Sequence, residues 1–579
     1  MMAISKKRTR EGAPEKASIA TKKKKPDNKT THNKRFNKVS KDKPLKRLKT
    51  DKPKAVILTS KEAHAKSKTL RNERRQKDRS HYDATIEMKK IWEDLRRQNL
   101  PKDQREQLCR KVMSLVQGKE RDFAFAHDTT RIFQTISKHA SQSIRTELFN
   151  SLKDSVLEMV KSTYSVFFVR SLLRRGTKDE KTFIIEKLMA NARKLIGHKL
   201  AGPVVEFAYN EYANAEQRLC FAKQFYGPSF TLFAQGNQSL VQMFEAKPEK
   251  KPFILKHMKE TLEGLIEKEA LKFTFVHNLF YEYLKYSNDT DRQVMAESLQ
   301  EHIAHIAHTR EGARVAMFVV WYSSAKGRKL IVKQLKPYIE KLMVEEYGHM
   351  LLFAIFDAVD DTKLVAKLIV SEVKERLDDL VKDKWGRHIV LYLLTPRQPQ
   401  HVNKEIRQLL ALGDDNPFSK KDVELRRKEL REEISPAAIS YAADNLDTLL
   451  ADNKLKVLLF VILTHAAGSK DHLVRSIAAL YNQPYTEKSI GHPLNDKSLR
   501  FTIRKLLQSE NTVVQIFTDA IKPSIWRSYM QSENGCHFIS IMINGSKDEA
   551  KRSLIAEISK HKAIISEGSQ SSELLALLT

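Results

Sequence analysis

The chain has 579 residues with 103 Lys and Arg against 71 Asp and Glu, a net charge of +32 and a pI near 9.7. That balance points to polyanionic partners such as nucleic acid ahead of acidic substrates or membrane surfaces. A membrane partner is not expected, because no run of about 18 apolar residues occurs and the N-terminus lacks the apolar core of a secretory signal. Cys109, Cys220 and Cys536 are too few and too scattered for a disulfide framework or a CxxC metal site, so the expectation is a soluble intracellular chain in a reducing compartment.

Residues 1–80 hold 28 Lys and Arg against 8 Asp and Glu, so +20 of the +32 sits in this stretch. It has few large apolar residues and is broken by Pro14, Pro26, Pro44 and Pro53. Such a segment cannot bury enough apolar surface to offset its ordering entropy, and a disordered basic tail is expected. The run Lys22-Lys23-Lys24-Lys25 and the cluster Lys6-Lys7-Arg8-Thr9-Arg10 resemble nuclear import signals as well as nucleic-acid patches.

From about Tyr82 the pattern turns helical, with Ile86, Met88, Ile91, Trp92 and Leu95 as an apolar stripe closed by Leu100-Pro101. A second helix carries Leu108, Val112 and Leu115; the two should cap a repeat array whose end unit lacks a neighbour. Repeats then follow at a spacing near 36, visible from Gly312-Ala313-Arg314-Val315-Ala316-Met317 laid over its neighbours. Equivalent starts are Thr130, Val166, Gly202, Gln238, Thr274, Ala313, His349, Arg387 and, past an insertion, Leu455. Two residues after each start stand Ile132, Phe168, Val204, Leu240, Val276, Val315, Leu351, Ile389 and Val457. Six after stand Ile136, Leu172, Ala208, Phe244, Phe280, Val319, Ile355, Leu393 and Val461. Apolar positions four apart share one helix face, so this period means stacked helical units, each of three short helices with the start pentamer on the middle one.

The domain boundaries expected are thus a tail over 1–80, a helical cap and repeats over 81–395, and an insertion with divergent repeats over 396–579. The insertion opens at Thr395-Pro396-Arg397-Gln398-Pro399 and contains the loop Gly413-Asp414-Asp415-Asn416-Pro417. A charged helical run, Ser419 to Ile434, follows and stops at Ser435-Pro436; with Lys420, Lys421, Arg426, Arg427 and Lys428 among acids it reads as a solvated helix face. Further starts fall near Lys497 and Cys536.

The period and the pentamers Thr130-Arg131-Ile132-Phe133-Gln134, Gln238-Ser239-Leu240-Val241-Gln242 and Ala313-Arg314-Val315-Ala316-Met317 resemble the Pumilio (PUF) family. In that family the first and fifth pentamer residues hydrogen-bond a base edge and the second stacks on it. The resemblance therefore implies base-reading positions at Thr130, Gln134, Gln238 and Gln242. Elsewhere the fifth positions are Arg170, Glu206, Asn278, Met317, Phe353, Leu391 and Leu459, and Val166, Gly202, Pro203, Ala313 and Leu455 offer no side-chain polar atom. The one-base-per-repeat code is lost. With the basic tail and the segments 307–317, 356–365 and Trp385-Gly386-Arg387-His388, residues from about 80 to 579 look like the Puf-A/penguin subfamily. That resemblance implies an all-α, extended and bent solenoid of about eleven repeats. It also implies binding of RNA or DNA with little sequence preference, nuclear and nucleolar location, and work in large ribosomal subunit assembly with, in some members, translational repression.

Arg131, Arg170, Arg314, Arg387 and His388 lie in the pentamers and could line one face toward phosphates or bases; solvated residues or inter-repeat ion pairs are the plainer alternative. Arg174-Arg175 would extend that face. His302, His305 and His308 have a spacing that could pair imidazoles, but no Cys completes a metal set and ordinary surface histidines are commoner. Cys536 and His537 are adjacent and point about 100° apart on a helix, so they form no thiol–base pair. With no phosphate-cradling loop or nucleophile elbow, neither an enzyme nor a cofactor nor a small-molecule substrate is expected. The partners expected are RNA, precursor ribosomal RNA foremost with messenger RNA and DNA as alternatives, and pre-ribosomal proteins. The rival is an armadillo- or HEAT-like protein scaffold whose tail serves only for import.

Overall fold

A computed structural model describes residues 81–578 apart from 235, 487, 490, 510, 547 and 566–568, together with 68–69. The tail, including Lys22, Lys23, Lys24 and Lys25, therefore lies outside the described residues but for that pair. Among the described residues there is no strand, and none of the helices is long and apolar enough to cross a membrane.

Helices α1 (Tyr82–Leu95) and α2 (Lys102–Val116) pack together, and α1 lies along α3 (His127–His139), the middle helix of the first unit. The middle helices that follow are α4 (Val166–Arg175), α5 (Gly202–Glu211), α6 (Thr274–Tyr286), α7 (Arg310–Tyr322), α8 (Gly348–Ala358) and α9 (Lys384–Leu394). Past the third helix of the eighth unit, α10 (Val423–Asp444), come α11 (Asn453–His465), α12 (Lys497–Ser509) and α13 (Glu533–Gly545). Each is preceded by a short helix or a single 3-10 turn and, with the short helix Leu240–Ala246 in fourth place, the array has eleven units. Every residue two or six places after the expected starts is buried except Val457, which is exposed, and Phe244, which is half-buried. Each buried Val, Leu, Ile or Phe contributes about 1.5–3 kcal/mol of transfer free energy, and these stripes join in one core running through the units.

Unit boundaries are written in caps. Thr177, Asn214, Asn288 and Ser324 each accept the backbone N–H three residues on and open a third helix. Glycine marks the residue before several starts, where the first helix passes close. A Cβ on Gly312 would stand 1.9 Å from the Ile306 carbonyl, and one on Gly535 2.2 Å from that of Tyr529.

The structure corrects the repeat phase in three places. In the fifth unit the start is His277 and not Thr274: cap Asn288 follows His277 by the same eleven residues that separate Ala313 from Ser324, and Asn278 then takes the outward second position. In the ninth unit the start is Lys456 and not Leu455, because Val457 points outward and Leu458 and Leu459 inward. In the tenth it is Arg500 and not Lys497, with Phe501 outward and Thr502 and Ile503 inward. The fourth unit leaves the line: α5 meets α6 directly, the Glu206 carboxylate taking the backbone N–H of Thr274 at 2.7 Å and of Phe275 at 3.3 Å. Helix Leu240–Ala246 instead touches α6 near its end, through Phe244 and Tyr286, with ring centroids 5.5 Å apart.

The charged run expected as a solvated face is a packed element. Helix α10 continues through Pro436 to Asp444, and Arg426, Leu430, Ile434, Ala438, Ile439 and Ala442 are buried along it. Arg426 is 1% exposed, donates to the carbonyls of Asp357 and Lys421 and pairs with Asp360 at 2.9 Å. The insertion proper is 395–422. Its Gly413 lies against Trp321, and its Asn416 and Ser419 take hydrogen bonds from buried Arg328 at 2.7 and 2.8 Å, so it covers the ends of α7 and α8.

Candidate nucleic-acid interface

Outward positions of α3 and α4 meet in a groove of about 450 Å³. From α3 come Arg131, Gln134, Thr135 and Lys138, from α4 Phe167, Arg170, Ser171, Arg174 and Arg175, and from α1 Trp92. The helical period puts Arg131, Gln134 and Lys138 on one stripe, as it does Phe167, Arg170 and Arg174. Phe167 is 55% exposed. It occupies the second pentamer position, the one that stacks on a base in the Pumilio pattern.

Among the described residues five cations line the groove and no carboxylate does. Among the described residues none of the five pairs with an acid. Neighbours hold three of them in place: Arg170 and Arg174 stand over the Phe207 ring at 5.0 and 5.3 Å, and Arg175 donates to Ser171 at 3.0 Å. Trp92 is fixed by its indole N–H to Thr135 at 2.8 Å. The field reaches His139, whose imidazole is held below its ordinary pKa by burial first and then by Arg105, Lys138 and Arg175. An array of like charges without counter-ions is favourable to a polyanion, which relieves their mutual repulsion.

The other expected site residues are placed differently. Thr130 is 1% exposed, so its hydroxyl is shut inside the first unit and does not reach the face. Gln238 and Gln242 serve their own turn. The Gln238 amide donates to the Gln242 carbonyl at 3.0 Å, and the Gln242 side chain accepts from Ser239 N–H at 2.8 Å in a capping box. Arg314 stands over Tyr281 at 5.2 Å with Glu311 at 3.9 Å. Arg387 donates to the Val381 carbonyl at 2.8 Å, and half-buried His388 faces Trp385 and His349. These three lie far along the chain from the groove, in two units whose fifth positions, Met317 and Leu391, are buried. His302, His305 and His308 do not converge: His305 faces Tyr338 and His308 faces His277.

Phe167, Thr135, Lys138, Ser171 and Trp92 are the groove residues that the sequence does not mark as candidates for the interface. Phe167 was legible by register alone, being the second residue of its pentamer, whereas Trp92 arrives from a helix outside the repeats.

A stack of three-helix units whose middle helices present such a face defines a Pumilio-type helical-repeat protein. Residues 382–516 match the CPL (NUC119) domain family. The chain is 39% identical to human Pumilio homolog 3 over 417 residues, 72% of this chain and 64% of the relative, and 36% identical to the Danio rerio protein over 426 residues, 73% and 68%. It thus spans just under two thirds of the human protein's length. The crystal structure of human Puf-A superposes with a TM-score of 0.74 at 33% identity, covering 86% of this chain and 99% of that one. That of human Puf-A in complex with DNA gives 0.75 at 32%, covering 86% and 100%. The chain belongs to the Pumilio homolog 3 (Puf-A) family.

Proposed function

We propose that this chain is a non-catalytic nucleic-acid-binding scaffold that holds structured RNA by its backbone, with little sequence preference, during nucleolar precursor-rRNA processing and large ribosomal subunit assembly. The observation that carries the binding is the groove of α3 and α4: five cations without an acid partner beside the exposed Phe167 ring. Such a site gains affinity from counter-ion release and from a stacking platform that accepts any base. Thr130 is buried and Gln238 and Gln242 are occupied in their own turn, which removes three of the four expected base-edge readers; Gln134 alone lines the groove, without an accessible polar first residue that would complete a reading pair, so backbone contacts do most of the binding. A crystal structure of human Puf-A holds DNA; that nucleic acid fits the same backbone-directed reading. The nucleolar assignment rests on the family and on the basic tail, and pre-ribosomal proteins are its proposed companions.

Crosslinking the protein in cells and sequencing the attached RNA tests this. Precursor ribosomal RNA should dominate, without a shared motif. Recovery of messenger 3′ regions sharing one motif would instead point to sequence-directed translational control and overturn the proposal.

A further inference from the structure

Far from the basic groove, α11 and α12 leave a second opening. From Lys456 to Arg500, the starts of units nine and ten, the chain takes 44 residues instead of 36, the surplus lying after the helix Asp471–Tyr481. Between the two middle helices is a pocket of about 360 Å³ floored by Leu450, Phe460 and Leu499 and flanked by Val457 and Phe501, which are 42% and 56% exposed. It runs into a recess of about 630 Å³ that shares Leu450, Lys456, Lys497 and Leu499 and extends to Leu480 and His492. Sharing four lining residues, the two form one trough with an aromatic end at Phe501 and a deeper end at His492.

The rim is cationic. Lys505 stands over Phe501 at 4.8 Å and Phe460 at 5.4 Å, and Lys497 lines both cavities. Lys456 is already paired with Asp496 at 2.5 Å. Lys497 and Lys505 meet no carboxylate among the described residues; Asp447 stands in the deeper recess, away from the aromatic end.

We infer that this trough is a docking site for an acidic peptide segment of a partner protein, a large apolar side chain seated between Val457 and Phe501 and carboxylates beside it meeting Lys497 and Lys505. The chemistry separates it from the α3–α4 groove. Among the described residues no arginine lines it, so it lacks the planar forks that grip phosphates in pairs, and the Phe460 and Phe501 rings are tilted by 40° at 6.4 Å, which leaves no parallel slot for a base between them. An apolar pocket with a few fixed charges at its edge suits a protein anchor residue instead. The inference does not depend on the nucleic-acid reading.

Selection of displayed random peptides on the full chain, with counter-selection on the F501E variant, tests it. The enriched peptides should combine Asp or Glu with Phe, Leu or Trp. Their affinity should fall by at least about tenfold in F501E, and in K497E and K505E, while RNA affinity in all three stays within about twofold. Phe501, Lys497 and Lys505 are surface residues, and unchanged melting of the two lysine variants guards against a folding artefact. Failure to enrich any peptide, enrichment without acids or large apolar residues, or binding that survives all three substitutions would each overturn the docking site. A loss of RNA affinity in F501E matching the peptide loss would make the trough a nucleic-acid site instead and overturn it too.

Discussion

His277 opens the fifth unit at a position where the Pumilio pattern has a base reader, yet it is 1% exposed and both ring nitrogens are engaged, Nδ1 with the Thr309 hydroxyl at 2.7 Å and Nε2 with the Leu271 carbonyl at 2.5 Å. A carbonyl only accepts, so Nε2 carries the proton and Nδ1 accepts from Thr309, and the ring ties the fifth unit to the cap of α7. His349 opens the seventh unit equally buried, stacked on Trp385 at 5.0 Å. Burial pushes both imidazoles down to about 4. A base whose folded pKa is depressed favours folding while neutral; the unfolded chain takes up protons near pH 6.5, the folded one only near 4, so stability falls as pH drops through that window. At pH 5 the loss should be about 2 kcal/mol for each histidine. Urea unfolding at pH 7 and pH 5 checks this, and His349→Phe, which keeps an aromatic ring on Trp385, should flatten the dependence. A midpoint equal at the two pH values would show that protonation of these rings is not coupled to folding.

At the scale of the element, what was legible was the period, and what was not was its phase where helices are buried on several sides. In α6 the run Phe275-Val276-His277 offers inward residues at consecutive places, so a start at Thr274 satisfies the apolar spacing as well as the true one. The cap at Asn288 and the outward Asn278, against buried Phe275, separate them. In α11 the run Leu455 to Ile462 is apolar apart from Lys456, and a one-residue slip is invisible until Val457 is seen outside. Helix α10 looks solvated in sequence because its charges are conspicuous while its inner stripe, Leu430, Ile434, Ala438 and Ile439, is ordinary. Of the groove, Arg131, Gln134, Arg170 and the pair Arg174-Arg175 could be placed from register, but α1's contribution needed the tertiary fold. Arg426 locks the start of α10 against the end of α8 by bonding the Asp357 carbonyl and Asp360. Removing Arg426 leaves the Asp357 carbonyl without its donor and half-buried Asp360 without its cation, and opens a cavity where a fully buried side chain stood. In Arg426→Ala, α10 and residues 395–422 should become sensitive to limited proteolysis before α3 to α5 do. Simultaneous cleavage along the chain would show that the insertion is not a separate cooperative unit.

Across the whole molecule two sets of cations are candidates for the nucleic acid, the 28 basic residues of 1–80 and the five that line the groove of α3 and α4, and the two should be separable by salt. Each phosphate neutralised releases counter-ions and steepens log affinity against log salt by about 0.7 for single strands. Arg170, Arg174 and Arg175 are held by Phe207 and Ser171, so a contact made by any of them costs little ordering entropy and should count nearly in full. Replacing Arg131, Arg170, Arg174 and Arg175 together by Ala should therefore make the slope shallower by up to about 3, at most one increment per lost contact. Deleting 1–80 should shift it further, by several units, and leave the melting of the repeats unchanged, because the described core lies within 81–578. With both changes combined the shifts should add, since the groove and the tail would touch different phosphates. Filter binding across a salt series decides between the outcomes. A slope unmoved by the four alanines would remove the groove from the interface, whereas one unmoved by the deletion would leave the tail's lysines free of the nucleic acid and nuclear import as their remaining role.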